Sequence, residues 1–204
     1  MEILSINMKK IEKLFSKLNN HYFNAGLPAP VITISPDKTK GAYGWCSCKK
    51  IWKETSENNA AYYEINICAE YLNRKFEEVV ATLLHEMVHL YNLEHSIKDT
   101  SRNGTYHNKK FKETAEKCGL VIERDFKYGW TITTLNQDAK EFVKSLNMKN
   151  FSLYRQKDEK NKLQNQSSRK YVCPQCGCII RATKEVHVMC IECQQPFQME
   201  KPKN

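Results

Sequence analysis

The stretch Phe76-Glu-Glu-Val-Val-Ala-Thr-Leu-Leu-His85-Glu86-Met87-Val88-His89-Leu-Tyr91 decides how the rest of the chain is read. Phe76, Val79, Val80, Leu83, Leu84, Met87, Val88 and Tyr91 recur at i, i+3, i+4, which predicts a long helix with a wide apolar face buried in a core. His85 and His89 then stand one turn apart on one face, so both imidazoles can reach one tetrahedral ion at about 2 Å. Glu86, one position on, projects beside the ion without filling its coordination shell. It can take a proton from metal-bound water and later hand it to a leaving amine. Without a metal, two histidines and a glutamate on a buried helix would leave polar groups uncompensated. The spacing therefore predicts a catalytic Zn²⁺ site.

Two later histidines could complete it. His95 follows His89 at the distance used in the compact HExxHxxGxxH arrangement, but Leu90–His95 holds no glycine to make that tight turn. His107 is expected to open a second helix running to Cys118 and ended by Gly119, with Phe111, Ala115 and Cys118 on its core-facing stripe. His107 is the preferred third ligand, and His95 reads as a surface histidine. The polar loop 94–106 is long enough to border a cleft. Upstream, Ile11, Leu14, Phe15, Leu18 and Tyr22 mark a helix over 5–23, broken at Asn24-Ala-Gly-Leu-Pro28. Strands are expected at 31–35, from Trp45, and at 61–68, where Tyr63, Ile65 and Ile67 would share one face and Tyr62, Glu64 and Asn66 the other. Further strands at 121–126 and 130–134 give an α+β main domain over 1–146.

A second metal signature closes the chain. Cys173-Pro-Gln-Cys176-Gly177 and Cys190-Ile-Glu-Cys193 are two C-x-x-C knuckles, and Ile179–Thr183 and Val186–Met189 read as the strands of a hairpin between them. Four thiolates fill a tetrahedron, so this Zn²⁺ is structural and supplies much of the stability of a ribbon over 171–204. Cys178 reads as a free thiol, and Cys46, Cys48, Cys68 and Cys118 as small buried hydrophobes. His187 is expected on a strand of the ribbon and His21 at the surface of the first helix.

The 204 residues hold 32 Lys+Arg against 23 Asp+Glu, a net charge of +9. Residues 147–204 carry 11 basic and 5 acidic side chains, so +6 of the excess lies in the tail. Residues 147–170 are the most basic part and read as a solvated linker. Hydrophobic residues make up 41%, which excludes wholesale disorder, and no apolar run approaches the roughly 18 residues of a membrane span. The amphipathic start does not read as a secretory signal, so a cytoplasmic setting is expected, where nine cysteines serve as metal ligands and thiols before disulfides.

The order of these motifs resembles the SprT-like family of zinc metalloproteases, related to Spartan. The likeness rests on Leu18-Asn-Asn-His-Tyr-Phe23, Ile65-Asn66-Ile67, His85-Glu86-x-x-His89, His107-x-x-x-Phe111 and the paired cysteines of the tail. It covers most of 5–135 and, more loosely, the C-terminus. The resemblance implies a minimal zincin-like fold, the ligand set His85, His89 and His107, Glu86 as general base, and cleavage of DNA-associated or DNA-crosslinked proteins. The C-x-C at Cys46 and Cys48 departs from the family pattern. On this reading the ribbon and linker contact DNA phosphates, with Phe151 and Tyr154 stacking on unpaired bases. Tyr106, Arg102 and Tyr128 are candidates for the oxyanion donor. The rival reading is a zinc-ribbon nucleic-acid-binding protein whose HExxH domain is a non-proteolytic scaffold, against which the intact Glu86 argues. A third is a zinc hydrolase of small or non-DNA substrates.

Overall fold

The first helix, α1 (Ile3–Phe23), buries Ile11, Leu14, Phe15, Leu18 and Phe23 along one face, as its periodicity predicts. Asn19 locks the turn that follows: its side-chain amide donates to the Leu27 carbonyl and accepts the Leu27 N–H, both at 3.1 Å. The chain then enters β1 (Val31–Ser35), β2 (Gly44–Cys46), the small hairpin β3 (Trp52–Lys53) and β4 (Ala61–Tyr62), and β5 (Glu64–Cys68). The computed structural model describes residues 3–37, 41–55, 59–157 and 168–200. The chain divides into two compact units, Met1–Lys157 and Asp158–Asn204.

In the first unit β5 is the middle strand, parallel to β1 and antiparallel to β2, which stands at the sheet edge. The strand alternates as its sequence predicts, and all five residues of β5 are buried, the polar face included. Ile65 and Ile67 face the core. The polar face is sealed by its own hydrogen bonds. Thr33 Oγ1 bonds Glu64 at 2.7 Å and Asn66 Oδ1 at 2.8 Å, Ser35 Oγ bonds Asn66 Oδ1 at 2.8 Å, and Trp52 Nε1 donates to Glu64 Oε2 at 2.8 Å. A polar residue tolerates a central strand when each of its groups is partnered.

The long helix α2 (Phe76–Glu94) runs through the centre of this unit. It touches β2 and β5 on one side and the second sheet on the other, and packs on the flanking helices. Val79, Val80, Leu83, Leu84, Met87, Val88 and Leu90 are essentially inaccessible, which explains why its apolar stripe is wide. Beyond it come β6 (Thr100–Ser101), β7 (Tyr106–His107), α3 (Lys109–Lys117), β8 (Leu120–Asp125), β9 (Gly129–Leu135) and α4 (Gln137–Ser145). The second sheet has the order β6-β7-β9-β8. Two expectations change. His107 does not open a helix: it ends β7, and the helix starts only after Asn108, whose side chain accepts the N–H groups of Lys110 and Phe111. The helix α4 was not anticipated, although Asn136 caps it and Ala139 and Val143 are buried.

The first part of the expected linker, 147–157, belongs to the first unit. Phe151 packs on Phe76, Ser152 N–H donates to buried Asn7 at 3.1 Å, and Arg155 pairs with Glu70 at 2.8 Å. Residues 158–167 of that linker lie outside the described residues.

The second unit is built from short strands: β10 (Arg169–Val172), β11 (Ile179–Ala182), β12 (Met189–Cys190), β13 (Gln195–Pro196) and β14 (Gln198–Met199). They pair antiparallel in the orders β11-β10-β14 and β12-β13. The strand expected at 186–189 is instead confined to Met189–Cys190, and His187 lies outside any strand. Among the described residues no helix is long and apolar enough to cross a membrane.

Candidate metal centre

His85 and His89 leave α2 on the same face, and β7 brings His107 to them from the second sheet. Nε2 of His107 lies 3.2 Å from Nε2 of His85 and 3.0 Å from Nε2 of His89. Phe111 forms the floor, fully buried, with its ring centroid 4.5 to 4.8 Å from all three imidazoles.

The opposite ring nitrogens set the protonation of the triad. His89 Nδ1 meets Asp99 Oδ2 at 2.7 Å, and an ionised carboxylate only accepts, so the proton is on Nδ1. His85 Nδ1 meets Thr133 Oγ1 at 2.8 Å, and that hydroxyl is committed as donor to the Thr131 carbonyl at 3.1 Å. His107 Nδ1 faces the Tyr128 carbonyl at 3.4 Å. With all three protons on Nδ1, three Nε2 lone pairs converge on one point, an arrangement that calls for a shared cation. Burial, reinforced by the neighbouring imidazoles, holds His85 well below the usual histidine range, and burial brings His107 down to about 4. Those two rings are therefore neutral donors of the kind that zinc takes.

Glu86 is buried next to this cluster. Burial is the main cause that pushes its carboxyl up to about 7, opposed by His89 and by the Cys46 backbone N–H. Above it passes β2 at close range: a Cβ on Gly44 would lie 2.7 Å from the Asn66 carbonyl and 3.3 Å from Glu86 Cγ. Glycine is what lets the edge strand approach the helix there. A cleft of about 620 Å³ runs between β2 with residues 41–43 and the opposite wall of Tyr128 and Thr131–Thr134, with His85, Glu86, His89 and His107 along it.

In the second unit the sulfurs of Cys173, Cys176, Cys190 and Cys193 lie within 4.8 Å of one another. Gly177 and Gln194, each next after the second cysteine of a pair, take left-handed φ values of 71° and 51°, so both knuckles turn the same way. The Cys176 N–H leads the group of backbone donors that draw the Cys173 thiol down to about 7. Four convergent thiols with amide support suit a tetrahedral zinc site. Cys178 is exposed and outside the cluster.

Every residue named from the sequence as a ligand thus falls into one of two clusters, and His95 falls into neither. It caps α2, exposed and stacked on Tyr91 at 3.9 Å. Of the three oxyanion candidates only Tyr128 lines the cleft. Cys68 and Cys118 are buried, as expected, and burial pushes their thiols up to about 12 and about 11. Cys48 is exposed instead, and with half-buried Cys46 it lines the cleft. Of the two aromatics expected to stack on bases, Phe151 is half-buried against the core and Tyr154 is exposed. Sequence reasoning missed Asp99, Asn92 and Thr133, which hold the ligands. Only the presence of a carboxylate in the loop between His89 and His107 hinted at the first.

Comparison with known proteins agrees with this geometry. The model of the SprT-like family matches residues 11–134, more than half of the chain and the whole of the histidine cluster. No curated protein matches the chain.

Proposed function

Because the chain belongs to the SprT-like family, we propose that it is a zinc-dependent peptidase acting on protein held on DNA, with Glu86 as its proton carrier. One observation carries this reading: a buried carboxyl sits beside three convergent imidazole nitrogens and beneath a sheet-edge strand. A Zn²⁺ ion on His85, His89 and His107 would supply Lewis acidity, activating water and polarising the scissile carbonyl. The chain's own groups do the rest. The edge of β2 offers backbone N–H and C=O groups to an extended peptide, which pairs with it as an added strand. Glu86, with a carboxyl poised near neutrality, accepts a proton from the attacking water and passes it to the departing amine nitrogen. Tyr128, on the far wall, is the hydroxyl assigned to the developing oxyanion.

The DNA half of the proposal rests on the basic tail and on the four-cysteine unit, whose exposed Ile179, Met189 and Ile191 add apolar surface to positive charge. Holding the peptidase on DNA raises its effective concentration toward DNA-bound protein.

The test is cleavage of a DNA-binding protein with and without DNA, by wild type and by Glu86→Gln. DNA-stimulated cleavage that falls by about 10²-fold or more in the variant, with zinc retained, is expected. Identical behaviour of the two proteins sinks the peptidase. Equal cleavage with and without DNA keeps the peptidase and removes DNA from its function.

A further inference from the structure

Arg74 lines the cleft beside Tyr43 and Thr82. It is held on three sides: its guanidinium lies 4.0 Å from the Tyr43 ring centroid, Nε donates to the Tyr71 carbonyl at 3.0 Å, and Nη2 donates to Thr82 Oγ1 at 2.9 Å. Thr82 is one turn before Glu86 on α2, so the cation is fixed to the helix that carries the catalytic carboxyl. Among the described residues no Asp or Glu forms an ion pair with it. Glu78, a cleft-lining carboxylate whose charge acts favourably on Arg74, accepts the Lys75 N–H at 3.1 Å in the cap of α2. A half-buried, pre-oriented guanidinium with unused donors and no ion-paired carboxylate, acted on only at longer range by Glu78, suits an incoming carboxylate.

β2 already pairs antiparallel with β5, and antiparallel pairing is the commoner kind, so an added peptide is taken as antiparallel. β2 runs from Gly44 to Cys46, and Tyr43 and Arg74 lie at its beginning. A peptide added antiparallel runs the other way, so the residues beyond its scissile bond reach Arg74.

We propose that Arg74 is a specificity-determining residue that receives a carboxylate on the leaving side of the substrate. The carboxylate is either an acidic side chain or the free C-terminus of a short peptide. This rests on the peptidase reading of the same cleft.

Matched peptides test it: Glu against Gln at each leaving-side position, and a C-terminal acid against its amide. They are compared by kcat/KM in wild type, Arg74→Gln and Arg74→Lys, and by affinity in zinc-loaded Glu86→Gln, which reads binding without turnover. The acid form is expected to win by about tenfold or more in wild type. That ratio should collapse toward one in Arg74→Gln and be intermediate in Arg74→Lys, which keeps the charge without the fork. The side-chain and C-terminus arms separate the two sources. A wild-type ratio near one, or an undiminished ratio in Arg74→Gln, overturns the assignment. So does a loss of DNA affinity in Arg74→Gln with the ratio intact, which would make the cation a phosphate contact. If Arg74→Gln fails to fold, Arg74→Lys and the Glu86→Gln affinities decide. Cleavage of every peptide without preference defeats this inference alone, whereas absence of all cleavage in wild type defeats the peptidase reading.

Discussion

Oδ2 of Asp99 accepts the Nδ1 proton of His89 at 2.7 Å while the Asp99 carbonyl accepts the N–H of Asn108, the neighbour of His107, at 2.9 Å. One loop residue therefore holds a ligand on α2 and the chain beside a ligand on β7. Asn92 completes the bracket, donating to Asp99 Oδ2 at 2.9 Å and accepting from Thr114 at 2.9 Å. Burial alone would raise the Asp99 pKa, but the His89 and Asn92 hydrogen bonds outweigh it and keep the residue ionised.

Replacing Asp99 by Ala should weaken zinc binding at the histidine site by roughly 10 to 100-fold, because the second partner of a ligating imidazole fixes its tautomer and orientation. Competition with a chromophoric chelator measures this. An unchanged affinity would mean that the bracket does not position His89.

The two units should respond differently to metal removal. In the second unit the buried apolar residues among those described are Tyr171, Cys173 and Cys190, too few for a core, whereas the first unit has a continuous one. Metal analysis should find about two zinc per chain. A strong chelator should unfold the ribbon and leave the main unit folded, as read by amide exchange across the two segments. Cys173→Ser should lose one zinc. Persistence of the ribbon's protected amides after chelation would contradict a metal-built fold.

Glu70 makes a pH-dependent contribution. Its nearly inaccessible carboxylate accepts the Asp37 N–H at 2.9 Å and pairs with Arg155 at 2.8 Å. Burial works to raise its pKa, yet these donors prevail and hold it below the usual carboxylate range. A depressed folded pKa means stabilisation that is complete above the unfolded value of about 4.3 and is lost as pH falls through the folded one. Glu70→Gln should therefore cost about 1–3 kcal/mol near neutrality, roughly 2–4 °C in Tm per kcal/mol, and progressively less in acid. Equal losses at pH 3 and pH 7, by thermal melts of both proteins, would show that the charge plays no part.

Much of the metal chemistry was legible before any coordinates. HExxH and the two C-x-x-C pairs place their ligands through local geometry, one turn of helix or one knuckle, and local geometry is written in spacing. The same holds for α1 and α2, whose periodicity matches the faces they bury. Other features depend on partners far along the chain. The alternation of 61–68 gives only the face of Glu64 and Asn66, and their burial depends on Thr33, Ser35 and Trp52, which satisfy them. Phe151, assigned from the sequence to base stacking, is half-buried against the core because Phe76 packs on it.

What the amino-acid order determined alone is therefore the two groups of candidate metal ligands, the acidic neighbour Glu86 and the division into a helix-borne and a knuckle-borne cluster. Only the tertiary structure decided that Asp99, Thr133 and the Tyr128 carbonyl take the Nδ1 protons, that Gly44 brings an edge strand over Glu86, and that Arg74 waits at one end of the cleft. The reason is physical. Ligand spacing within a single element is set by bonded geometry, whereas orientation, protonation and access come from contacts between segments that only folding brings together.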